Sequence, residues 1–293
     1  MKVTADDGVE LDAWVEGDGP AIVFLHEFGG DQRSWREQVD AFRDRYRCIV
    51  PAARGYPPSD APGDPQLYSQ DRMNKDVIAV LDSLKIDKAH LVGLSMGAYT
   101  ALRVGMLYPH RIRSVVFSAG GSGADAATRD DYLRETRRVA DLMDETGQVP
   151  AKDFGISSSR IQLKHKRPAM WEEFVRNMGE HPARSAALVL RGIQASRPSL
   201  YDYAKDLEGF DLPLFCIVGD EDEACLNVNL WLKRLIPSAR LMTFPNSGHA
   251  INLEEPDLYN SSIAAFLKEV DGGTWHPRLP EARAGGTYLG TVK

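Results

Sequence analysis

No run of roughly eighteen apolar residues occurs in this 293-residue chain, so nothing in it reads as a membrane-spanning helix. Cysteine is scarce. Cys48, Cys216 and Cys225 are an odd count with no C-x-x-C spacing, which argues against both a disulfide framework and a zinc site. That usage fits a reducing compartment, so the expected localisation is cytoplasmic. The opening M-K-V-T-A-D-D-G is polar and acidic and lacks the apolar stretch of a signal peptide. Basic residues do not dominate: 35 lysines and arginines face 42 acidic residues, for a formal net charge of −7. No nucleic-acid partner is expected from that balance. Internal repeats and low-complexity segments are absent as well.

What is present is a rhythm. Short apolar runs at Val9 to Val15, Ala21 to Leu25, Cys48 to Val50, Ala89 to Val92, Ser114 to Phe117, Leu214 to Val218 and Leu241 to Phe244 read as strands. Ala21 to Leu25 is continuously apolar, as in a central strand buried on both faces. Amphipathic helical patterns lie between them, over Met73 to Leu84, Ala98 to Leu107, Leu226 to Ile236 and Leu258 to Val270. Strands alternating with helices predict an α/β fold with a mostly parallel sheet covered on both faces.

One region breaks the rhythm. Residues 122–206 contain no convincing strand. Thr128 and Asp131 look like a capping box opening a helix with Tyr132, Thr136, Val139 and Met143 on one stripe. Pro168 starts a second helix with Trp171, Phe174, Val175 and Met178 on its apolar face. The expected organisation is a core of 1–121 and 207–270, a helical cap of 122–206, and a tail of 271–293. The cap holds 14 lysines and arginines against 13 acidic residues, and its basic run from Arg160 to Arg167 reads as a solvated face. The tail has no helical or strand period, with Trp275, Tyr288 and Leu289 as docking candidates.

The chemistry centres on Gly93-Leu94-Ser95-Met96-Gly97, a G-x-S-x-G set between a strand and a helix. In that context Ser95 stands out above the sheet on a sharp turn, over a helix N-terminus that carries a positive dipole. A serine hydroxyl needs a base. Ser247-Gly248-His249 follows the last apolar strand, at the same sheet edge, which makes His249 the candidate. The other histidines, 26, 90, 110, 165, 181 and 276, lack that position and are expected mostly at the surface. Four carboxylates follow Gly219: Asp220, Glu221, Asp222 and Glu223. Asp222 is the first choice to orient His249 because it clears the strand end, and Asp220 is the second.

These motifs, together with the loop at 22–31 and Arg54-Gly55-Tyr56 with Ser59, resemble those of the α/β-hydrolase fold superfamily. The likeness is to its capped type, which includes esterases, lactonases, carbon–carbon bond hydrolases and epoxide hydrolases. It covers residues 9 to 270. It implies a Ser95-His249-Asp222 triad and an oxyanion hole formed by the backbone N–H groups of Phe28 and Met96. His26 is expected to brace the loop and do no proton chemistry. No metal and no organic cofactor are expected. Haloalkane dehalogenase and epoxide hydrolase chemistry is disfavoured because both use an aspartate nucleophile, and position 95 is serine.

Glu27 departs from the pattern, which has glycine there. A carboxylate in an oxyanion hole would repel the developing charge. Glu27 is therefore expected to turn outward, to pair with an arginine such as Arg33 or Arg54, or to be protonated. The sharper alternative has it reach the pocket as a substrate-binding residue or general acid. The leading functional expectation is a serine hydrolase of a small ester or lactone. Alternatives are a C–C hydrolase, perhydrolase or acyltransferase on the same triad, or a non-catalytic ligand receptor. No membrane partner is expected, and a homodimer is left open.

Overall fold

The structure is a computed structural model that describes residues 1–283. Its sheet has eight strands: β1 (Lys2–Thr4), β2 (Glu10–Glu16), β3 (Ala21–Leu25), β4 (Arg47–Pro51), β5 (Ala89–Leu94), β6 (Ile112–Ser118), β7 (Leu214–Gly219) and β8 (Ala239–Phe244). Their spatial order is β1-β2-β4-β3-β5-β6-β7-β8. β1 pairs antiparallel with β2, and β2 with β4; every later pairing is parallel. β1 is a strand that the sequence reading missed, because three residues with one buried position carry no period.

Every residue of β3 is buried, as its continuous apolar run requires. Alternate side chains serve opposite faces. Ile22 and Phe24 pack with Trp35, Phe42 and Tyr259 on one side of the sheet. Val23 and Leu25 pack with Ala98, Leu102 and Val80 on the other. Phe42 comes from α1 (Arg36–Phe42), Val80 from α2 (Gln70–Ser83), and Ala98 and Leu102 from α3 (Met96–Leu107). Late in the chain come α10 (Glu223–Leu235), α11 (Ile251–Glu254) and α12 (Pro256–Asp271).

Between β6 and β7 the chain is helical, with α4 (Arg129–Thr146), α5 (Ala151–Gly155), α6 (Ile161–Lys166), α7 (Pro168–Gly179), α8 (Ala183–Val189) and α9 (Ala204–Glu208). The expected stripes hold: Thr136 and Met143 of α4 and Phe174, Val175 and Met178 of α7 are buried. Met143, Phe174, Val175 and Met178 join Phe28, Met96, Ala250 and Leu253 in one apolar cluster, which seats this helical segment on the loops after β3, β5 and β8. Each fully buried side chain of this size contributes about 1.5–3 kcal/mol. The Thr128–Asp131 capping box does not form. Thr128 sits at φ −117°, ψ −1° and makes no side-chain cap bond, because a hydroxyl on that backbone does not reach the third helical N–H. Asp125 instead accepts from the Ala127 N–H.

The histidine expectation also needs correction. His26, His90 and His181 are buried, and only His110, His165 and His276 are exposed. Burial pushes His90 down to about 4, and it bonds Ser114 Oγ and Asp271. After α12, Trp275 docks on Phe215 and Phe266, and its indole N–H donates to Ser238 O. A short helix, α13 (Pro280–Arg283), appears where no period was read. Tyr288 and Leu289 lie outside the described residues.

Candidate active site

The parallel strands β3, β5, β7 and β8 end at one edge of the sheet, and four loops meet there. Ser95 follows β5 directly. Its backbone is at φ 54°, ψ −109°, a conformation that costs a non-glycine residue strain and that projects its side chain from the turn. The flanking glycines are required by close approach. A Cβ on Gly93 would lie 2.3 Å from Gly97 O, and one on Gly97 would lie 2.0 Å from Leu25 O. Tightness at the elbow therefore comes from β3, β5 and α3 sharing space that no side chain can enter.

His249 and Asp222 come together from the ends of β8 and β7. The His249 Nδ1 to Asp222 Oδ2 distance is 2.8 Å, with both groups buried. Burial alone would raise the Asp222 pKa. The His249 charge, hydrogen bonds from His249 and Cys225, and the Arg160 charge outweigh that and hold it below its ordinary value. Asp220, the second choice, is exposed and accepts from the Ser247 N–H at 3.0 Å. Geometry thus separates two carboxylates that spacing left open. Ser95, His249, Asp222 and Phe28 line one cavity of about 950 Å³, together with Arg160 and Arg197 of the insertion. The π-helical turn Leu190–Gln194 contributes Leu190 and Gln194 to its wall.

Around the loop after β3, the N–H groups of Phe28 and Met96 donate to no protein group among the described residues. They are free for an acceptor in the site. Tyr56 Oη donates to Phe28 O at 2.6 Å, fixing that peptide. Burial first, then the Glu27 and Asp31 charges, keep the Tyr56 phenol protonated. His26 braces the same loop: Nδ1 sits 2.8 Å from Glu27 O, and Nε2 accepts from the Ala53 N–H at 3.0 Å.

Glu27 does not turn outward. It is 1% exposed, yet it is not among the residues lining the cavity. It is paired with an arginine, as one expectation held, but not with Arg33 or Arg54. Arg33 binds Asp31 and Glu180, and Arg54 binds Asp7 and Asp76. The partner is Arg160, from the basic run of the insertion. That run is a solvated face only in part: Lys164 and His165 are exposed, but Arg160 is buried, Lys166 pairs with Glu255, and Arg167 with Glu37. Glu27 Oε2 also lies 3.8 Å from His249 Nε2.

Three further groups escaped the sequence reading. Glu254 accepts the N–H groups of Gly248 and Ala250, on either side of His249, and burial raises its pKa to about 7. Ser159 O accepts the His249 N–H at 2.6 Å, tying the insertion to the histidine loop. Arg197 is buried over the Tyr99 ring and pairs with no carboxylate among the described residues. As for metals, donor atoms of Asp222, Cys225 and His249 lie within 4.8 Å of one another. Burial and the Asp222 charge keep the Cys225 thiol protonated, and its Sγ lies 3.3 Å from Ala119 O. That trio is an engaged carboxylate–imidazole pair beside a neutral thiol, a poor ligand set.

The elbow, the imidazole–carboxylate pair and the parallel sheet define a hydrolase architecture, and the chain belongs to the alpha/beta hydrolase fold family, which matches residues 20–256. It is 25% identical over 277 residues to 3-oxoadipate enol-lactonase 1 of Acinetobacter baylyi, covering 92% of this chain and 97% of that one. It is 26% identical over 287 residues to a 2-hydroxy-6-oxononadienedioate/2-hydroxy-6-oxononatrienedioate hydrolase of Burkholderia vietnamiensis, covering 90% and 93%. Among solved structures, a thermophilic esterase from Thermogutta terrifontis superposes with a TM-score of 0.81 at 23% identity, covering 92% and 98%; at that identity the likeness is one of fold. No helix among the described residues is long and apolar enough to cross a membrane.

Proposed function

We propose that the chain is a serine hydrolase of carboxylic esters or lactones, with 122–206 acting as a cap over the site. The observation that carries this is the 2.8 Å His249–Asp222 bond in the cavity that Ser95 lines from a strained elbow. Ser95 Oγ attacks the carbonyl while His249 Nε2 takes its proton. Asp222 orients the ring and stabilises the imidazolium. The Phe28 and Met96 N–H groups receive the oxyanion, each such donor being worth about 2.7–4 kcal/mol in the transition state. The alcohol leaves with the proton from His249, and the same histidine then activates water to release the acid. No step calls for a metal or an organic cofactor.

The test is hydrolysis of p-nitrophenyl esters from acetate to octanoate by wild type and Ser95→Ala. Activity lost in the variant supports the reading, and the best chain length sizes the acyl pocket. Activity retained by Ser95→Ala rejects it.

A second reading keeps the triad and cleaves a carbon–carbon bond in a substrate bearing a carboxylate. Arg197 favours it: a buried guanidinium without an acidic partner among the described residues is costly unless an anion arrives. A relative whose name specifies a dioate substrate fits the same chemistry. Turnover of a vinylogous 1,5-diketo acid with none of simple esters would place the chain there.

A further inference from the structure

We propose that Glu27 and Arg160 are positioning residues that set the charge balance at His249: Glu27 favours the imidazolium from its Nε2 side, and Arg160 limits how strongly. The inference rests on the serine-hydrolase reading, in which Nε2 gains the Ser95 proton.

His249 sits between two buried carboxylates. Asp222 holds Nδ1 through a hydrogen bond of 2.8 Å. Glu27 Oε2 stands 3.8 Å from Nε2, too far for a hydrogen bond and close enough for strong Coulomb attraction when water is excluded. Glu27 Oε1 and Arg160 Nε are both buried without a hydrogen-bond partner among the described residues. The pair is thus incompletely hydrogen-bonded, and the Glu27 oxygen nearer His249 exerts its field there with Arg160 opposing it. A glycine at position 27 would remove that field, so a glutamate there changes the electrostatics of the base without occupying the cavity.

Other charged or titratable groups face this spot. His26, Asp31 and Tyr56 lie around the loop after β3, with His181 bonded to Asp31. Asp222, Glu223 and Cys225 come from the end of β7, and Asp153 joins them at the cavity wall. Glu254 and Lys166 flank the histidine loop. Burial raises the Glu254 pKa to about 7 and the His249 charge acts on it, so it contributes to the kinetic profile of every variant, and the NMR titration of His249 itself separates the two groups.

The experiment is the pH dependence of kcat/KM on p-nitrophenyl acetate for wild type, Glu27→Gln, Glu27→Asp and Arg160→Gln. Loss of the Glu27 charge makes the imidazolium less favourable, so neutral His249 persists to lower pH. The acid limb moves down by about one unit in Glu27→Gln. Glu27→Asp keeps both charges and withdraws the carboxylate by one methylene. It moves the limb the same way by less, and it carries the test if Glu27→Gln does not fold. Arg160→Gln moves the limb up. A limb that stays in place while rates fall, or that moves up in the Glu27 variants, overturns the proposal and leaves the pair as a latch between insertion and core. NMR titration of the His249 imidazole in a Ser95→Ala background reads the same shift without turnover. Failure of the hydrolase reading is thereby distinguished from failure of this one.

Discussion

Replacing Asp222 with Asn removes one charge and leaves the shape almost unchanged. In the native site Asp222 Oδ2 accepts from His249 Nδ1 at 2.8 Å, which leaves the Nε2 lone pair open to take the serine proton in the proposed mechanism. An asparagine amide can present its N–H₂ to Nδ1 and so favour the tautomer protonated at Nε2, which cannot accept the serine proton. The electrostatic loss has a similar size. Opposite unit charges 2.8 Å apart attract by about 6 kcal/mol at an effective dielectric of 20. At 1.36 kcal/mol per factor of ten, that corresponds to about 10⁴ in rate, which matches the loss of about 10⁴ known for the aspartate-to-asparagine change in the serine-protease template. The assay is kcat on the best p-nitrophenyl ester, with circular dichroism to confirm folding. Asp220→Asn is the control: its carboxylate is exposed and, among the described residues, binds only the Ser247 N–H, so its kcat stays within about ten-fold of wild type. An Asp222→Asn enzyme within ten-fold of wild type would refute the assignment.

Three other outcomes follow from the same structure. Gly97→Ala places a Cβ 2.0 Å from Leu25 O, a backbone clash that α3 can relieve only by moving. A loss on the order of 3 kcal/mol or more is expected in urea denaturation, with esterase activity falling alongside. Glu254 has its folded pKa raised from 4.5 to about 7, so its contribution to stability is fully present below 4.5 and is lost as pH rises through 7. Glu254→Gln therefore flattens the fall in Tm between pH 5 and 8; an unchanged slope contradicts the burial argument. His90 is depressed from 6.5 to about 4, so its contribution is present above 6.5 and lost as pH falls toward 4. His90→Gln reduces the loss of Tm over that acid range, and equal slopes in both proteins would reject this.

Much of this fold was legible because its signals are local. The all-apolar run of β3, the elbow glycines around Ser95 and the Ser247-Gly248-His249 turn are each contained in a few residues. The contacts that decide the site's electrostatics are not local. Glu27 and Arg160 are far apart in sequence, and nothing near either one announces the other. The run at Arg160 to Arg167 reads as surface charge until Glu27, Glu37 and Glu255 arrive from the core to meet it. The choice of Asp222 over Asp220 likewise depended on the turn after β7, where one carboxylate faces the imidazole and the other a backbone N–H. Thr128 shows the converse: its capping pattern was present, but the backbone conformation that would use it was not.

The central claim is that Ser95 is the nucleophile. Its most direct test is to inactivate the protein with a fluorophosphonate and map the adduct by peptide mass spectrometry. The account predicts one covalent phosphonyl group on the peptide carrying Ser95, with labelling abolished in Ser95→Ala and strongly slowed in Asp222→Asn. Labelling at another residue, or none in the folded wild-type protein, would contradict it.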